Sequence, residues 1–208
     1  MKLVWTTRGI PHGFLCETPI HLIYRVKGCA PVNQLSQLAD DLTQQLAVLR
    51  SDQNQPADRV QRVLEEQLEV YDQLLDAQDQ SKYVLSKRVA AEEVIASWRG
   101  LHSRGEIHLY AVCVMGNHVH ALLRGGEGRE DAPIGQLVSR HKRFTNRRIR
   151  EAMGLETNVW DSGFYDRYVR PGTFERVLWY VINNPVKAGL IRDWRAWAGT
   201  YVDEGLGL

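Results

Sequence analysis

The sequence is poor in cysteine, and the few cysteines it has form no recognisable motif. Its 208 residues include only Cys16, Cys29 and Cys113, an odd number without a Cys-x-x-Cys pair. A disulfide framework uses cysteines in pairs, and a cysteine zinc site needs closely spaced ones. We therefore expect these three residues to act as small apolar side chains in a core.

Long apolar runs are missing as well. No stretch approaches the roughly 20 apolar residues that a membrane-spanning helix needs, and the N-terminal MKLVWTTRGIPHGF lacks the apolar region of a signal peptide. We find no internal repeat, which argues against a solenoid. These absences predict a cytoplasmic protein without a membrane partner.

The sequence also lacks a large net charge, but its charges are unevenly distributed. The net charge is +1, whereas residues 35–80 contain ten acidic and three basic residues, so that this segment carries −7 and the remainder +8. The acidic segment fits either an ordinary solvated helical layer or a distinct functional arm. The basic remainder is a candidate surface for an anionic partner.

Alternating strand and helix patterns run along the chain. They predict strands over 18–28, 106–115, 118–126 and 163–170, and helices over 34–50, 58–78, 88–103, 133–153 and 173–184. This order predicts an α+β protein, a ferredoxin-like sandwich with a central antiparallel sheet. We expect a single domain over 1–208, with an added acidic helical hairpin over about 35–80.

The segment VMGNHVHALL (114–123) carries two histidines inside an apolar strand. Residues two apart in a strand face the same side, so His118 and His120 project together. Two neutral imidazoles can share a divalent metal ion. The spacing alone fits equally well two histidines that are merely hydrogen-bonded or exposed.

The segment LWYVINNPVKAGL (178–190) offers a nucleophile and a further ligand. Tyr180 and Asn184 are four residues apart and share a helix face if the helix reaches that far. Pro185 disfavours helical structure in the residue before it. Taken alone, Tyr180 could instead be a core aromatic, and Asn184 could simply cap the helix.

The segment SRHKRFTNRRIR (139–150) is a strongly basic helix. Such a face suits phosphate groups, although a solvated face is the common alternative. Nearby aromatic residues could stack on bases or belong to the core. The basic residues are Arg140, Lys142, Arg143, Arg147, Arg148 and Arg150, and the aromatic ones are Trp160, Phe164, Tyr165 and Tyr168.

Taken together and in order, four segments resemble a known family. VMGNHVHALL, SRHKRFTNRRI, VWDSGFYDRYVR and YVINNPVKAGLI are similar to the motifs of the single-tyrosine HUH transposases (IS200-like), in particular the REP-associated tyrosine transposase branch. The resemblance extends from about residue 18 to residue 201. Gly116 stands where the family usually has proline, which removes no ligand.

The resemblance implies a site and a reaction. Tyr180 matches the catalytic nucleophile, while His118, His120 and Asn184 match the ligands of a divalent metal, Mg²⁺ or Mn²⁺. The implied enzyme is a metal-dependent single-stranded DNA endonuclease and strand transferase, which cleaves at hairpin-associated sites through a covalent 5′-phosphotyrosine. Its partner would be single-stranded DNA with hairpin or palindromic elements, contacted by the six basic residues of 139–150. Tyr165 and Tyr168 rank below Tyr180 as nucleophiles, because they match a structural strand of the family.

Several alternatives stay open at this point. The chain could be a domesticated, non-catalytic hairpin-DNA-binding protein, or a related HUH nickase of replication initiation or plasmid transfer. The resemblance is compatible with both a monomer and a homodimer. The acidic segment could cover the sheet, mediate dimerisation or keep DNA off one face, and its charge favours the last of these.

Overall fold

The structure is a computed structural model that describes residues 3–5, 11–51 and 57–208. Its strands are β1 (Leu3–Trp5), β2 (Pro11–Leu15), β3 (Ile20–Arg25), β4 (Ile107–Val114), β5 (His118–Gly125), β6 (Ala132–Pro133), β7 (Tyr165–Tyr168) and β8 (Thr200–Val202). Its α-helices are α1 (Val32–Ser51), α2 (Ala57–Asp76), α3 (Arg88–Ser103), α4 (Ile134–Met153), α5 (Phe174–Ile182) and α6 (Asn184–Lys187). Single turns of 3₁₀ helix cover Gln80–Lys82, Val84–Ser86, Trp194–Ala196 and Glu204–Leu206.

A five-stranded antiparallel sheet forms the centre of the fold. Its strand order is β7-β3-β5-β4-β8, and every neighbouring pair is antiparallel. β1, β2 and β6 form a smaller three-stranded sheet. The predicted α+β class with a central antiparallel sheet is confirmed. The edge strand β8 was not predicted, since three residues are too few to give an alternating pattern.

The two faces of the central sheet are covered by different helices. Along β5, Val119, Ala121 and Leu123 belong to the core that contains the apolar residues of α3 and α4. Leu122, which points the other way, packs in a second core with α5. The basic helix α4 and the tyrosine-bearing helix α5 therefore lie on opposite faces of the sheet.

The acidic hairpin consists of α1 and α2, as predicted. Leu42, Leu46 and Leu64 form a small apolar cluster within it. Helix α2 also packs against β7, and the Tyr71 hydroxyl accepts a hydrogen bond of 2.6 Å from Arg25 at the end of β3. The hairpin is thus anchored to the central sheet.

The helix that carries Tyr180 ends earlier than predicted. Helix α5 stops at Ile182, Asn183 is its C-cap, and Asn184 begins the separate short helix α6. Pro185 explains the break, because proline has no N–H and cannot donate the helical hydrogen bond to the carbonyl of Val181.

Cys16, Cys29 and Cys113 are all free, and the last two are buried, as expected. Within 3–5, 11–51 and 57–208, no helix combines the length and apolar character that crossing a membrane requires.

Candidate active site

The two histidines of β5 point together into a buried cluster of polar side chains, the histidine pocket. His118 and His120 have no exposed surface, and their Nε2 atoms lie 2.9 Å apart. His21 on the neighbouring strand β3 places its Nε2 3.1 Å from Nδ1 of His120. The predicted pairing of the two imidazoles on one side of the strand is therefore present.

A neighbouring amide fixes the tautomer of one histidine. Asn117 donates from Nδ2 to the Leu75 carbonyl over 2.9 Å, which turns its Oδ1 toward His118. That Oδ1 lies 2.7 Å from Nδ1 of His118 and can only accept a hydrogen bond. Nδ1 must therefore carry the proton, so a neutral His118 presents the lone pair of Nε2 to the pocket. Metal-binding histidines are commonly oriented in this way.

A carboxylate from the acidic hairpin enters the same pocket. Asp72 on α2 is fully buried, and its Oδ1 lies 3.3 Å from Nε2 of His118 and 3.0 Å from Nε2 of His120. One ligand atom from each of these three residues lies within 4.8 Å of the other two, close enough to hold a single metal ion. Sequence reasoning missed Asp72, which it counted only as part of the acidic charge.

The other oxygen of the same carboxylate contacts the tyrosine. The Tyr180 hydroxyl donates a hydrogen bond to Oδ2 of Asp72. Nζ of Lys187 on α6 lies 3.0 Å from that oxygen, 3.2 Å from Oδ2 of Asp76 and 3.4 Å from the Tyr180 hydroxyl. The structure thus brings Tyr180 together with the histidine pair, with Asp72 between them.

Burial and charge set the protonation of these groups. Burial, reinforced by the negative charge of Asp72, raises the pKa of Tyr180, so its hydroxyl stays protonated in this state. Burial alone would raise the pKa of Asp72, but the neighbouring His120 lowers it well below its usual value. Burial opposes the charge of Lys187, yet Asp72 and Asp76 raise its pKa overall. The pocket therefore holds an ionised carboxylate, an ammonium and a neutral phenol.

The side chain of Asn184 is buried but has no hydrogen-bond partner among the described residues. Neither its Oδ1 nor its Nδ2 makes a hydrogen bond there, although the side chain is fully buried. No described hydrogen bond joins Asn184 to the histidines. An unpaired buried amide costs on the order of 1–3 kcal/mol, so such groups usually have a partner. Asn184 as a metal ligand stays a prediction that this unpaired amide fits.

The predicted DNA-binding residues of α4 lie on the opposite sheet face from Tyr180. Five of the six have partners within the protein, and one of these contacts is the exposed pair of Arg147 and Glu151, 3.9 Å apart. Arg140 pairs with Glu106, Arg148 pairs with Glu93, Arg150 donates to the carbonyls of Leu155 and Glu156, and Lys142 donates to those of Asp161 and Gly163. Arg143 and Arg147 are exposed. Any contact between α4 and DNA would therefore be remote from the tyrosine.

Lys142 is buried, and we expect its replacement to affect stability. Its Nζ donates to the Asp161 carbonyl over 2.9 Å and to the Gly163 carbonyl over 2.6 Å. Lys142→Met should lower the free energy of unfolding by about 1–3 kcal/mol, because both carbonyls lose a donor. Urea unfolding monitored by circular dichroism measures this change.

The free energy of unfolding that is lost in Lys142→Met should increase with pH. Burial lowers the pKa of Lys142 from its ordinary 10.5 to about 8. Between these values the unfolded chain binds more protons at Lys142 than the folded chain, so the stability contributed there rises with pH. The difference between the wild type and Lys142→Met should thus widen from pH 8 upward. A difference that is constant with pH would contradict the pKa shift.

A groove with a volume of about 770 Å³ opens beside Tyr180. Arg170 of this groove pairs with Glu65 over 2.6 Å, and Arg167 lies 3.9 Å from the same carboxylate. Sequence reasoning missed the groove, because its cations come from separate parts of the chain. Its lining includes the basic residues Arg62, Arg167, Arg170, Arg176 and Lys187 and the acidic residues Glu65, Glu66 and Glu69.

The solved structures that are similar to the chain include two that are described as transposases. One is described as a REP-associated tyrosine transposase bound to a REP hairpin; it is 14% identical, the match covers 88% of this chain and 76% of that one, and the TM-score is 0.46. The other, from Deinococcus radiodurans, is named as a transposase; it is 17% identical, with 83% and 94% covered and a TM-score of 0.36. No curated protein matches the sequence.

A family model gives a more specific result. The model described as "Transposase IS200 like" matches residues 76–184, just over half of the chain. The matched region contains His118, His120, Tyr180 and Asn184, whereas Asp72 precedes it. The chain therefore belongs to the IS200-like transposase family.

Proposed function

We propose that this protein is a metal-dependent single-stranded DNA endonuclease and strand transferase of the REP-associated kind, which cleaves at hairpin-associated sites through a covalent 5′-phosphotyrosine. One observation carries the proposal: the Tyr180 hydroxyl and the two Nε2 atoms of His118 and His120 contact the same buried carboxylate, Asp72. A nucleophile and the candidate metal ligands therefore lie together, as metal-assisted phosphodiester cleavage by a tyrosine requires.

The proposed reaction exchanges one phosphodiester bond for another. The Tyr180 oxygen attacks the phosphorus and loses its proton, the bond from phosphorus to the 3′ oxygen breaks, and the departing strand end takes up a proton as a free 3′-hydroxyl. The 5′ end stays attached to Tyr180. Attack by a 3′-hydroxyl on this linkage reverses the step and rejoins DNA. Because the linkage keeps the energy of the original bond, strand transfer needs no ATP.

The residues of the pocket suit a divalent cation. His118 and His120, with Asn184 as the predicted further ligand, would hold Mg²⁺ or Mn²⁺. A bound cation supplies Lewis-acid stabilisation of charge on the phosphate oxygens. Lys187 adds a positive charge 3.4 Å from the Tyr180 hydroxyl, where it can attract the phosphate. Asn117 keeps the His118 lone pair directed inward.

Two surfaces suit different parts of a hairpin-bearing substrate. The groove beside Tyr180 suits the single strand to be cleaved, since its cations lie next to the nucleophile. On α4, Phe144 is exposed between the exposed Arg143 and Arg147, a combination that suits nucleic acid. We propose that this α4 surface contacts the hairpin and that the groove contacts the unpaired strand.

Substituting one arginine on each surface separates these two roles. Arg176→Ala in the groove should weaken binding of an unpaired oligonucleotide and reduce the slope of log K against log salt by about 0.7. Arg143→Ala on α4 should leave the unpaired oligonucleotide unaffected and weaken binding of a hairpin. Fluorescence anisotropy at several salt concentrations measures both effects. Equal effects of the two variants on both DNAs would contradict the assignment.

The reaction itself is tested with hairpin-bearing single-stranded DNA and Mn²⁺. A covalent protein–DNA adduct on a denaturing gel is the expected result. Hairpin binding without any adduct, across Mg²⁺, Mn²⁺ and other divalent metals, would instead favour the domesticated, non-catalytic hairpin-binding protein.

A further inference from the structure

The acidic hairpin delivers two carboxylates to the metal pocket. Asp72 and Asp76 are four residues apart on α2 and share one helix face. Burying an ionised carboxylate is costly unless it is paired or bound to a metal. Both residues are nevertheless directed toward His118, with Asp76 Oδ1 3.9 Å from its Nε2 and Asp72 Oδ1 3.3 Å from it.

The charges available to these carboxylates leave two oxygens unsatisfied. Lys187 lies 3.0 Å from Oδ2 of Asp72 and 3.2 Å from Oδ2 of Asp76, so one ammonium serves both residues. Oδ1 of each is buried and accepts no well-aligned hydrogen bond among the described residues. A divalent cation bound beside them would supply the partner that these oxygens lack.

One contact in the pocket is unfavourable without a cation. Asn117 requires the proton of neutral His118 to sit on Nδ1, so Nε2 carries a lone pair. Oδ1 of Asp72 also has only lone pairs, yet it lies 3.3 Å from that nitrogen. Two acceptors that face each other repel, whereas a cation between them can bind both. Nε2 of His120 carries at most one proton, so it can donate a hydrogen bond to only one of these two acceptors.

We propose that Asp72 is a metal ligand, contributed through Oδ1 by the acidic hairpin. This inference rests on the proposed function, because it concerns the metal site of that reaction. The acidic hairpin would thereby complete the metal site, with a residue that precedes the region matched by the family model. With His118 and His120, Asp72 forms a set of two imidazoles and one carboxylate. Such a set should bind Mn²⁺ more tightly than Mg²⁺, which prefers all-oxygen ligands.

Mn²⁺ binding to the full chain without DNA tests the proposal directly. Electron paramagnetic resonance of free Mn²⁺ gives the affinity independently of cleavage. Asp72→Asn should weaken Mn²⁺ binding by at least about tenfold. Asp40→Asn is the matched control, because it removes the same charge from an exposed site in the same hairpin, and it should bind as the wild type does. Wild-type affinity in Asp72→Asn would overturn the proposal.

A second variant covers the case in which Asp72→Asn does not fold. Asp72→Cys offers a thiolate at the same position, and Cd²⁺ bound to a thiolate gives an ultraviolet charge-transfer band. We expect this band in Asp72→Cys and not in Asp40→Cys. Its absence from folded, Cd²⁺-treated Asp72→Cys would overturn the proposal.

The same titration separates this inference from the proposed function. If the wild type binds Mn²⁺, His118→Gln does not, and Asp72→Asn binds as the wild type does, then the histidine site stands and Asp72 is not a ligand. If the wild type binds no Mn²⁺, the metal site of the proposed function fails together with the inference.

Discussion

Replacing Tyr180 with phenylalanine is expected to abolish the covalent protein–DNA adduct. The change removes only the hydroxyl, which is the proposed nucleophile, so adduct formation should fall at least about a thousandfold. Because the ring remains, we expect the fold and hairpin binding to persist. A denaturing gel of protein mixed with hairpin-bearing single-stranded DNA and Mn²⁺ measures the adduct, and anisotropy measures the binding.

The matched control is Tyr165, one of the two tyrosines that the sequence analysis ranked below Tyr180. Tyr165 on β7 packs against the ring of Tyr71, with 4.3 Å between ring centroids. Tyr165→Phe should therefore retain the adduct. The reverse pattern, in which Tyr180→Phe keeps the adduct and Tyr165→Phe loses it, would move the nucleophile to β7.

The second large effect is expected at the histidine pair. His118→Gln and His120→Gln each remove an imidazole whose Nε2 faces the pocket. Loss of a ligand should weaken Mn²⁺ binding by at least about a hundredfold, since even partners outside the ligand shell contribute 10- to 100-fold. DNA cleavage should be lost with it. Calorimetric titration with Mn²⁺ and the adduct gel measure the two effects.

His108 provides a control for this pair. His108 lies on β4 and is partly exposed. Its Nε2 is 3.2 Å from Oδ2 of Asp203. His108→Gln should leave both Mn²⁺ affinity and adduct formation unchanged. If all three histidine variants behaved alike, metal binding would not involve the β5 pair specifically.

Most of the strand–helix order was predictable because the longer elements have clear patterns. Helix α3 was predicted over 88–103, and the structure has Arg88–Ser103. The paired strands around Gly116 were predicted from two apolar segments and a short break. The alternation within β5 also predicted that His118 and His120 share a side. Local periodicity was sufficient for these features, since none depends on distant residues.

Asp72 was missed because its neighbours carry the same charge. Five acidic residues fall on α2 between 65 and 76, and composition alone treats them as one solvated face. A finer signal was present: Asp72 is four residues after Leu68 and three before Leu75, both of which are buried. An acidic residue inside the apolar stripe of a helix is uncommon and marks a buried site.

The side of the sheet on which a helix packs cannot be read from that helix alone. The basic pattern of α4 was correct, but nothing in it indicates that the helix lies opposite Tyr180, or that Arg148 pairs with Glu93 from α3. Lys142 did offer a signal, because it is four residues after the buried Val138 and three before the buried Thr145. Its position on the apolar stripe predicts an interior lysine.

The proposed reaction is tested most directly by the identity of the residue that carries the DNA. After incubation with hairpin-bearing single-stranded DNA and Mn²⁺, nuclease and protease digestion followed by mass spectrometry locates the nucleotide on the peptide. We expect a single adduct, a 5′-phosphate bound to the Tyr180 oxygen. A nucleotide on any other residue, or hairpin binding that never yields a nucleotide-bearing peptide, would contradict the proposed reaction.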